Sequence, residues 1–160
     1  MRRRWDGWEW GGFLFTVLAG TGLHFLYDLC PNALFALIAP VNESVWEHLK
    51  LLFWPFAAAG WYLCRHGTTL GALCAAELVM PAALLGAYYA LRFGFGIFGL
   101  ASDIALYYLA LAGGFYFAYR HRASPGLARA AGVLAMLVCV LASCLLVLSI
   151  AAPDLPVFIP

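Results

Sequence analysis

Residues 126–151 read GLARAAGVLAMLVCVLASCLLVLSIA and contain one charged side chain, Arg129. A helix needs about 20 mostly apolar residues to cross the hydrocarbon core of a bilayer, so this run is long enough to span it. It follows Ser124–Pro125, an N-cap residue with proline at the first helical position, and it ends before Pro153. The run therefore predicts a transmembrane helix.

Four more continuous apolar runs precede this one. Their approximate bounds are 13–30, 44–64, 70–91 and 97–119. The short stretch 32–40 between the first two cannot cross a bilayer, and we expect it to lie in the interface or to enter the membrane partway. The sequence thus predicts one transmembrane domain over residues 1–160, an all-α polytopic bundle of about five helices.

The composition excludes several classes of protein. Of the 160 residues, 65% are hydrophobic and 11% are charged, against roughly 45–50% and about 25% in soluble domains. There are too few polar residues to cover a soluble fold, and no basic face that would bind nucleic acid. The five cysteines form no C-x-x-C pair, which argues against a disulfide framework or a thiolate metal site.

The distribution of Lys and Arg predicts the orientation. With the N-terminus in the cytoplasm, seven arginines fall on the cytoplasmic side, and only Lys50 and Arg92 fall on the outer side. The seven are Arg2, Arg3, Arg4, Arg65, Arg120, Arg122 and Arg129. We therefore expect a cytoplasmic N-terminus and an external C-terminus.

Several ionisable residues fall inside the predicted spans, where each costs at least about 2.5–3.5 kcal/mol near the helix centre. His24 and Asp28 lie four residues apart, hence on one face of the first helix. The second helix opens with the polar stretch Asn42–Lys50, and Asp103 lies in the outer part of the fourth. The topology is expected to place these groups at similar depth in the outer half of the membrane, with Glu77 deeper, as the predicted transport-path residue.

Two imidazoles and several carboxylates on neighbouring helices are typical of a divalent metal site, with zinc as the first choice. The predicted ligands are His24, Asp28, His48 and Asp103. In such a site Glu43 or Glu47 would serve as a general base and Ser44 as a hydroxyl donor, so these three are the predicted catalytic residues.

A purely structural interpretation competes with the metal site. Ser44-x-x-Glu47 matches a capping box, and Asn42 and Ser124 suit helix N-caps. His24–Asp28 and Glu47–Lys50 are also spaced as local ion pairs.

Prolines inside two of the predicted helices each leave one backbone carbonyl without its helical hydrogen bond. Pro55 and Pro81 lack an N–H and therefore free the carbonyls of Leu51 and Glu77. Either proline is also consistent with an ordinary transmembrane kink.

The stretch Pro40–Pro55, which contains PVNESVWEHLKL, and the H-x-x-x-D of the first helix resemble a family of small bacterial multi-pass membrane proteins of unknown function. The resemblance implies a protein of the bacterial inner membrane and no established activity. The chain is more weakly similar to intramembrane zinc hydrolases of the ceramidase and adiponectin-receptor type. It has five predicted spans rather than seven and lacks their late H-x-x-x-H, so no catalytic residue is transferred from them.

Three functions remain open at this point. The first is transport of a small solute, using a metal ion or proton bound at the outward-facing site. The second is metal-dependent hydrolysis of lipid. The third is a structural or accessory subunit, whose polar residues only cap and pair. The expected partners are the bilayer and a small solute or lipid, without nucleic acid, and a homodimer is compatible with so thin a bundle.

Overall fold

The computed structural model describes residues 7–159, and it confirms an all-α fold over that range. The long helices are α1 (Gly7–Leu29), α3 (Val45–Arg65), α4 (Leu70–Tyr89), α5 (Leu100–His121) and α7 (Ala131–Ile150). The short ones are α2 (Ala33–Ile38), α6 (Pro125–Arg129), a π-helical turn (Ala90–Gly94) and a 3-10 turn (Pro156–Phe158). The topology-determining arginines Arg2, Arg3 and Arg4 lie outside the described residues.

Four helices in the described range are long and apolar enough to cross a membrane. They are α1, α4 with its π-helical turn, α5 and α7. Helix α3 is as long but is not among them; it packs against α1, α4 and α7. Its buried apolar residues form the centre of the core, including Leu49, Leu52, Phe53, Phe56 and Leu63.

Side-chain caps fix where several helices begin. Asn32 accepts hydrogen bonds from the backbone N–H groups of Leu34 and Phe35 and starts α2 inside the predicted interfacial stretch. Ser44 and Ser124 are the N-caps of α3 and α6. The caps of α2, α3 and α6 are therefore formed by residues next to each helix start.

The run 126–151 differs from the expected single helix, because it is interrupted at Ala130 between α6 and α7. Helix α6 approaches α4 so closely that a side chain at Gly71 would overlap the carbonyl oxygen of Leu127. Helix α6 is thus separated from α7 and lies in close contact with α4.

The connection from α4 to α5 also departs from regular helix. The chain widens into the π-helical turn and then passes through Gly96 and Gly99, whose φ angles are +66° and +134°. A φ of +134° is open without strain only to glycine, so Gly99 allows the chain to return tightly into α5. The turn places Arg92 and Asp103 side by side.

Candidate functional site

A cavity of about 470 Å³ lies at the end of the bundle where α1 and α4 finish and α3 and α5 begin. Its volume is within the roughly 300–1,000 Å³ of small-molecule sites. Polar side chains from all four helices line it: His24, Glu43, His48, Tyr88, Arg92, Asp103 and Tyr107. The cavity thus gathers groups from distant parts of the chain.

His24, Glu43 and His48 form a compact group at this cavity. One ligand atom from each residue lies within 4.8 Å of the other two. The rings of His24 and His48 have centroids 5.3 Å apart, and Nε2 of His48 lies 3.4 Å from Oε2 of Glu43. We call these three residues the His–Glu–His group.

The backbone contact of His48 indicates which ring nitrogen carries the hydrogen in the neutral ring. Its Nδ1 lies 2.8 Å from the carbonyl oxygen of Ser44. A carbonyl only accepts, so this contact requires the proton on Nδ1. In the neutral ring Nε2 is then a free acceptor that faces Glu43, which is the arrangement in which a metal-binding histidine is usually held.

Other predicted site residues lie apart from this group. Asp28 is exposed and does not belong to it. Asp103 lines the same cavity but pairs with Arg92, with Oδ2 2.9 Å from Nη2. Glu77 is buried in α4, does not line the cavity, and its Oε1 has no hydrogen-bond partner among the described residues.

Glu47 and Ser44 are both buried, and their side chains accept hydrogen bonds from backbone N–H groups. Ser44 Oγ accepts from the backbone N–H of Glu47 at 3.4 Å. The Glu47 carboxylate does not return this bond as a capping box would; it accepts from Val41 N–H at 2.9 Å. The N–H of Ser44 instead donates to Asn42 Oδ1 at 2.9 Å. Neither Ser44 nor Glu47 lines the cavity wall.

The predicted Glu47–Lys50 ion pair is present and is buried. Nζ of Lys50 lies 2.7 Å from Oε2 of Glu47, and the lysine side chain has no exposed surface. The same ammonium donates to the carbonyl oxygens of Ala36 and Ala39. Ser149 of α7 donates to the other carboxylate oxygen of Glu47 at 2.6 Å. This buried pair joins α2, α3 and α7 next to the cavity.

Two cavity residues are not among those that the sequence predicts. The sequence indicates Arg92 only as a marker of topology, although it lies eleven residues before Asp103 across a glycine-rich turn, which is a signal for a contact between them. Tyr107 donates a hydrogen bond of 3.2 Å to the carbonyl oxygen of Leu51. That carbonyl is the one freed by Pro55, so the acceptor was predictable and its distant donor was not.

Comparison with known proteins gives a family and no activity. No curated protein and no solved structure matches the chain. A family model described as a family of unknown function, DUF6512, matches residues 2–160. That match covers nearly the whole chain, including every helix of the described bundle and all three residues of the His–Glu–His group. The chain therefore belongs to the DUF6512 family, a family of unknown function.

Proposed function

We propose that this protein is a metal-dependent hydrolase of the bacterial inner membrane. In this proposal the His–Glu–His group binds a divalent ion, zinc first, and the substrate is an amphiphile that enters the cavity. The observation that carries the proposal is the facing of His48 Nε2 and Glu43 Oε2 at 3.4 Å. Both atoms are acceptors when the ring is neutral, so a cation between them relieves their repulsion.

A proton on Nε2 would also satisfy this pair, and His24 provides the reason to favour a metal. Nδ1 of His24 is buried and has no hydrogen-bond partner in the described chain. A buried ring nitrogen without a partner costs about 1–3 kcal/mol, and a shared metal ion would remove that cost. Two imidazoles and one carboxylate are also a usual ligand set of catalytic zinc.

The fit requires only small side-chain movements. Zinc bonds of about 2.0–2.1 Å in a tetrahedron put ligand atoms roughly 3.4 Å apart, whereas the group here spans up to 4.8 Å. The side chain of Glu43 is 71% exposed and is free to turn inward. Three protein ligands would leave one position open to water, whose pKa a bound zinc ion would lower to about 7.

The shape of the cavity favours hydrolysis over transport. Transport through the bundle requires a polar route from the His–Glu–His group to Glu77, and Glu77 is not among the cavity-lining residues. The cavity walls also include apolar residues with exposed surface, such as Phe25, Leu100 and Ile104, which suit the apolar part of an amphiphile. Glu43 serves as a ligand in this proposal, not as the general base.

A lipid-release assay tests the proposal. Purified protein in nanodiscs made from radiolabelled bacterial lipid is expected to release water-soluble or free-acyl products, to stop after chelation, and to recover with added Zn²⁺. His48→Ala should abolish the release. His121→Ala is the matched control, because the His121 ring makes the same type of contact, Nδ1 to the carbonyl of Phe117 at 3.0 Å, outside the cavity.

Two results would contradict the proposal. One is release that is equal in wild type and His48→Ala. The other is the absence of any released product from zinc-loaded wild type while Glu77→Gln abolishes uptake of a solute into proteoliposomes. The second result would move the function to transport.

A further inference from the structure

We infer that Arg92 binds a phosphate group of the substrate, in the same cavity as the His–Glu–His group. This inference names the substrate class and rests on the proposed function above. It starts from the position of Arg92 on the π-helical turn Ala90–Gly94. This turn ends α4, and the chain returns from it into α5, which carries Asp103.

Arg92 is held firmly in the cavity wall. Its guanidinium lies 4.2 Å from the ring centroid of Tyr88 and 5.5 Å from that of Phe98. The Arg92 side chain is 26% exposed, and its Nη2 pairs with Asp103. Such stacking fixes the plane of the guanidinium, which lowers the entropy lost when it binds a ligand.

The guanidinium still has unused donors. Asp103 is its one hydrogen-bond partner among residues 7–159, and Nε is buried without an acceptor. Arginine presents five N–H donors in a planar fork that matches two oxygens of a phosphate. An oxyanion that accepts from Nε–H and a neighbouring N–H would satisfy the buried atom and leave the Asp103 contact in place.

The charge of the loaded cavity also favours an anion. Arg92 and Asp103 balance each other, and Glu43 supplies one further negative charge. A divalent ion in the His–Glu–His group exceeds that charge, so the loaded cavity is positive overall. Because apolar residues share the walls, the ligand that fits both features is a phosphate ester with an apolar chain; free phosphate shares the same recognition chemistry.

Calorimetric titration of the full chain in a non-ionic detergent, with bound zinc measured on the same sample, tests this inference. The probes are dihexanoyl phosphatidic acid, inorganic phosphate and uncharged dihexanoylglycerol. Arg92→Gln is expected to weaken binding of the short-chain phosphatidic acid about tenfold or more and to leave the zinc content unchanged. Arg65→Gln is the control, since Arg65 stacks on Trp61 and does not line the cavity.

A second variant covers the case in which Arg92→Gln does not fold. Asp103→Asn keeps Arg92 and frees its paired N–H, so it should bind phosphatidic acid as tightly as wild type or more tightly. Inorganic phosphate that competes with phosphatidic acid would identify free phosphate as a ligand. Binding of the lipid alone would identify a headgroup.

Equal affinity in Arg92→Gln and wild type would overturn the inference, as would equal affinity for dihexanoylglycerol and phosphatidic acid, or weakened binding in Asp103→Asn. Zinc binding with no Arg92-dependent phosphate binding would refute this inference alone. Arg92-dependent phosphate binding by a protein that takes up no zinc would refute the proposed function and leave the phosphate site standing.

Discussion

At the scale of single residues, two of the charges near the cavity have a structural role. Lys50 and Glu47 are buried next to each other. The Lys50 ammonium donates to the Glu47 carboxylate and to a backbone carbonyl oxygen, and the carboxylate also accepts from a backbone N–H and a serine hydroxyl. A buried ion pair contributes little net stability compared with apolar residues, but removal of one partner is costly because the other charge stays buried.

The first prediction concerns this pair. Lys50→Met should lower the free energy of unfolding by about 3–5 kcal/mol, since it leaves Glu47 charged and unpaired in the core. Unfolding in a detergent–SDS titration followed by tryptophan fluorescence measures the change. Arg65→Met, at an exposed site of the same helix, is the control and should differ little from wild type. A Lys50→Met protein as stable as this control would contradict the structural role.

The environment of these charges is not predictable from the sequence. The Lys and Arg distribution predicts Lys50 and Arg92 as markers of the outer side, although Lys50 is fully buried and Arg92 largely so. A charge at the end of a predicted span faces water or the bundle according to the rotation of the helix. That rotation depends on packing between helices, and no local pattern in the chain records it.

At the scale of elements, α1, α3 and α5 meet at one point in the cavity wall. The carbonyl oxygen of Leu51, which Pro55 deprives of its helical partner, accepts from the hydroxyl of Tyr107. Gly20 of α1 lies against both groups, and a Cβ there would overlap the Tyr107 hydroxyl and lie 2.8 Å from the Leu51 oxygen. A change at Pro55, Tyr107 or Gly20 is therefore expected to alter the contacts of the other two.

The second prediction is a coupling between Tyr107 and Pro55. Tyr107→Phe should cost about 0.5–1.5 kcal/mol in the natural background, because the Leu51 carbonyl loses its donor. In a Pro55→Ala background the restored N–H at position 55 supplies a donor, so the same change should cost less. A double-mutant cycle by SDS titration measures the difference. Equal costs in both backgrounds would show that the hydroxyl does not compensate for the proline.

The third prediction concerns the close approach at Gly20. Gly20→Ala should destabilise the protein by about 1–3 kcal/mol, since α1 must move away from α3 and α5. Gly22→Ala, two residues further along α1, is the matched control. A Cβ at Gly22 meets nothing within 4 Å, so its higher helix propensity should stabilise by up to about 1 kcal/mol. Equal stabilities of the two variants would contradict the packing.

Helix ends were more predictable than helix contacts. Ser44 and Ser124 cap their helices through side chains that act within three residues. Pro55 likewise indicated the freed Leu51 carbonyl. The donor for that carbonyl lies 56 residues away, and its position depends on how α5 packs, which propensity and periodicity do not encode.

At the scale of the whole molecule, four of the described helices are long and apolar enough to cross a membrane, and α3 packs among them. Five crossings with a cytoplasmic N-terminus stay a prediction from the sequence. Cys30 follows α1 and Cys64 is near the end of α3, and both are exposed. If α3 crosses the membrane, the two thiols lie on opposite sides. The fold places the cavity at the same end of the bundle as Cys30.

The fourth prediction uses these thiols. In single-cysteine proteins expressed in a bacterial host, a membrane-impermeant maleimide should label Cys30 in intact cells and Cys64 only after permeabilisation. Labelling of both thiols from one side would contradict a fifth crossing by α3. Labelling of Cys64 alone in intact cells would reverse the orientation predicted from the arginines.

The site itself was predictable as a set of helices and only partly as a set of residues. The sequence predicts His24, His48 and Asp103 as site residues, and all three line the cavity. It also predicts Asp28, which lies outside the His–Glu–His group. Glu43 was assigned as a base and lies where a ligand would. The topology predicts which helix ends lie at the same depth in the membrane. Whether their side chains meet depends on how each helix is rotated about its axis.

The most direct test of the central claim is the zinc content of detergent-purified protein, measured by elemental analysis after equilibration with Zn²⁺ and gel filtration. The His–Glu–His group predicts about one bound zinc per chain in wild type and in His121→Ala. It predicts a loss of most of that zinc in His24→Ala and in His48→Ala, with both variants still folded by SDS titration. A wild-type protein without zinc, or zinc retained in full by both cavity variants, would contradict the metal site.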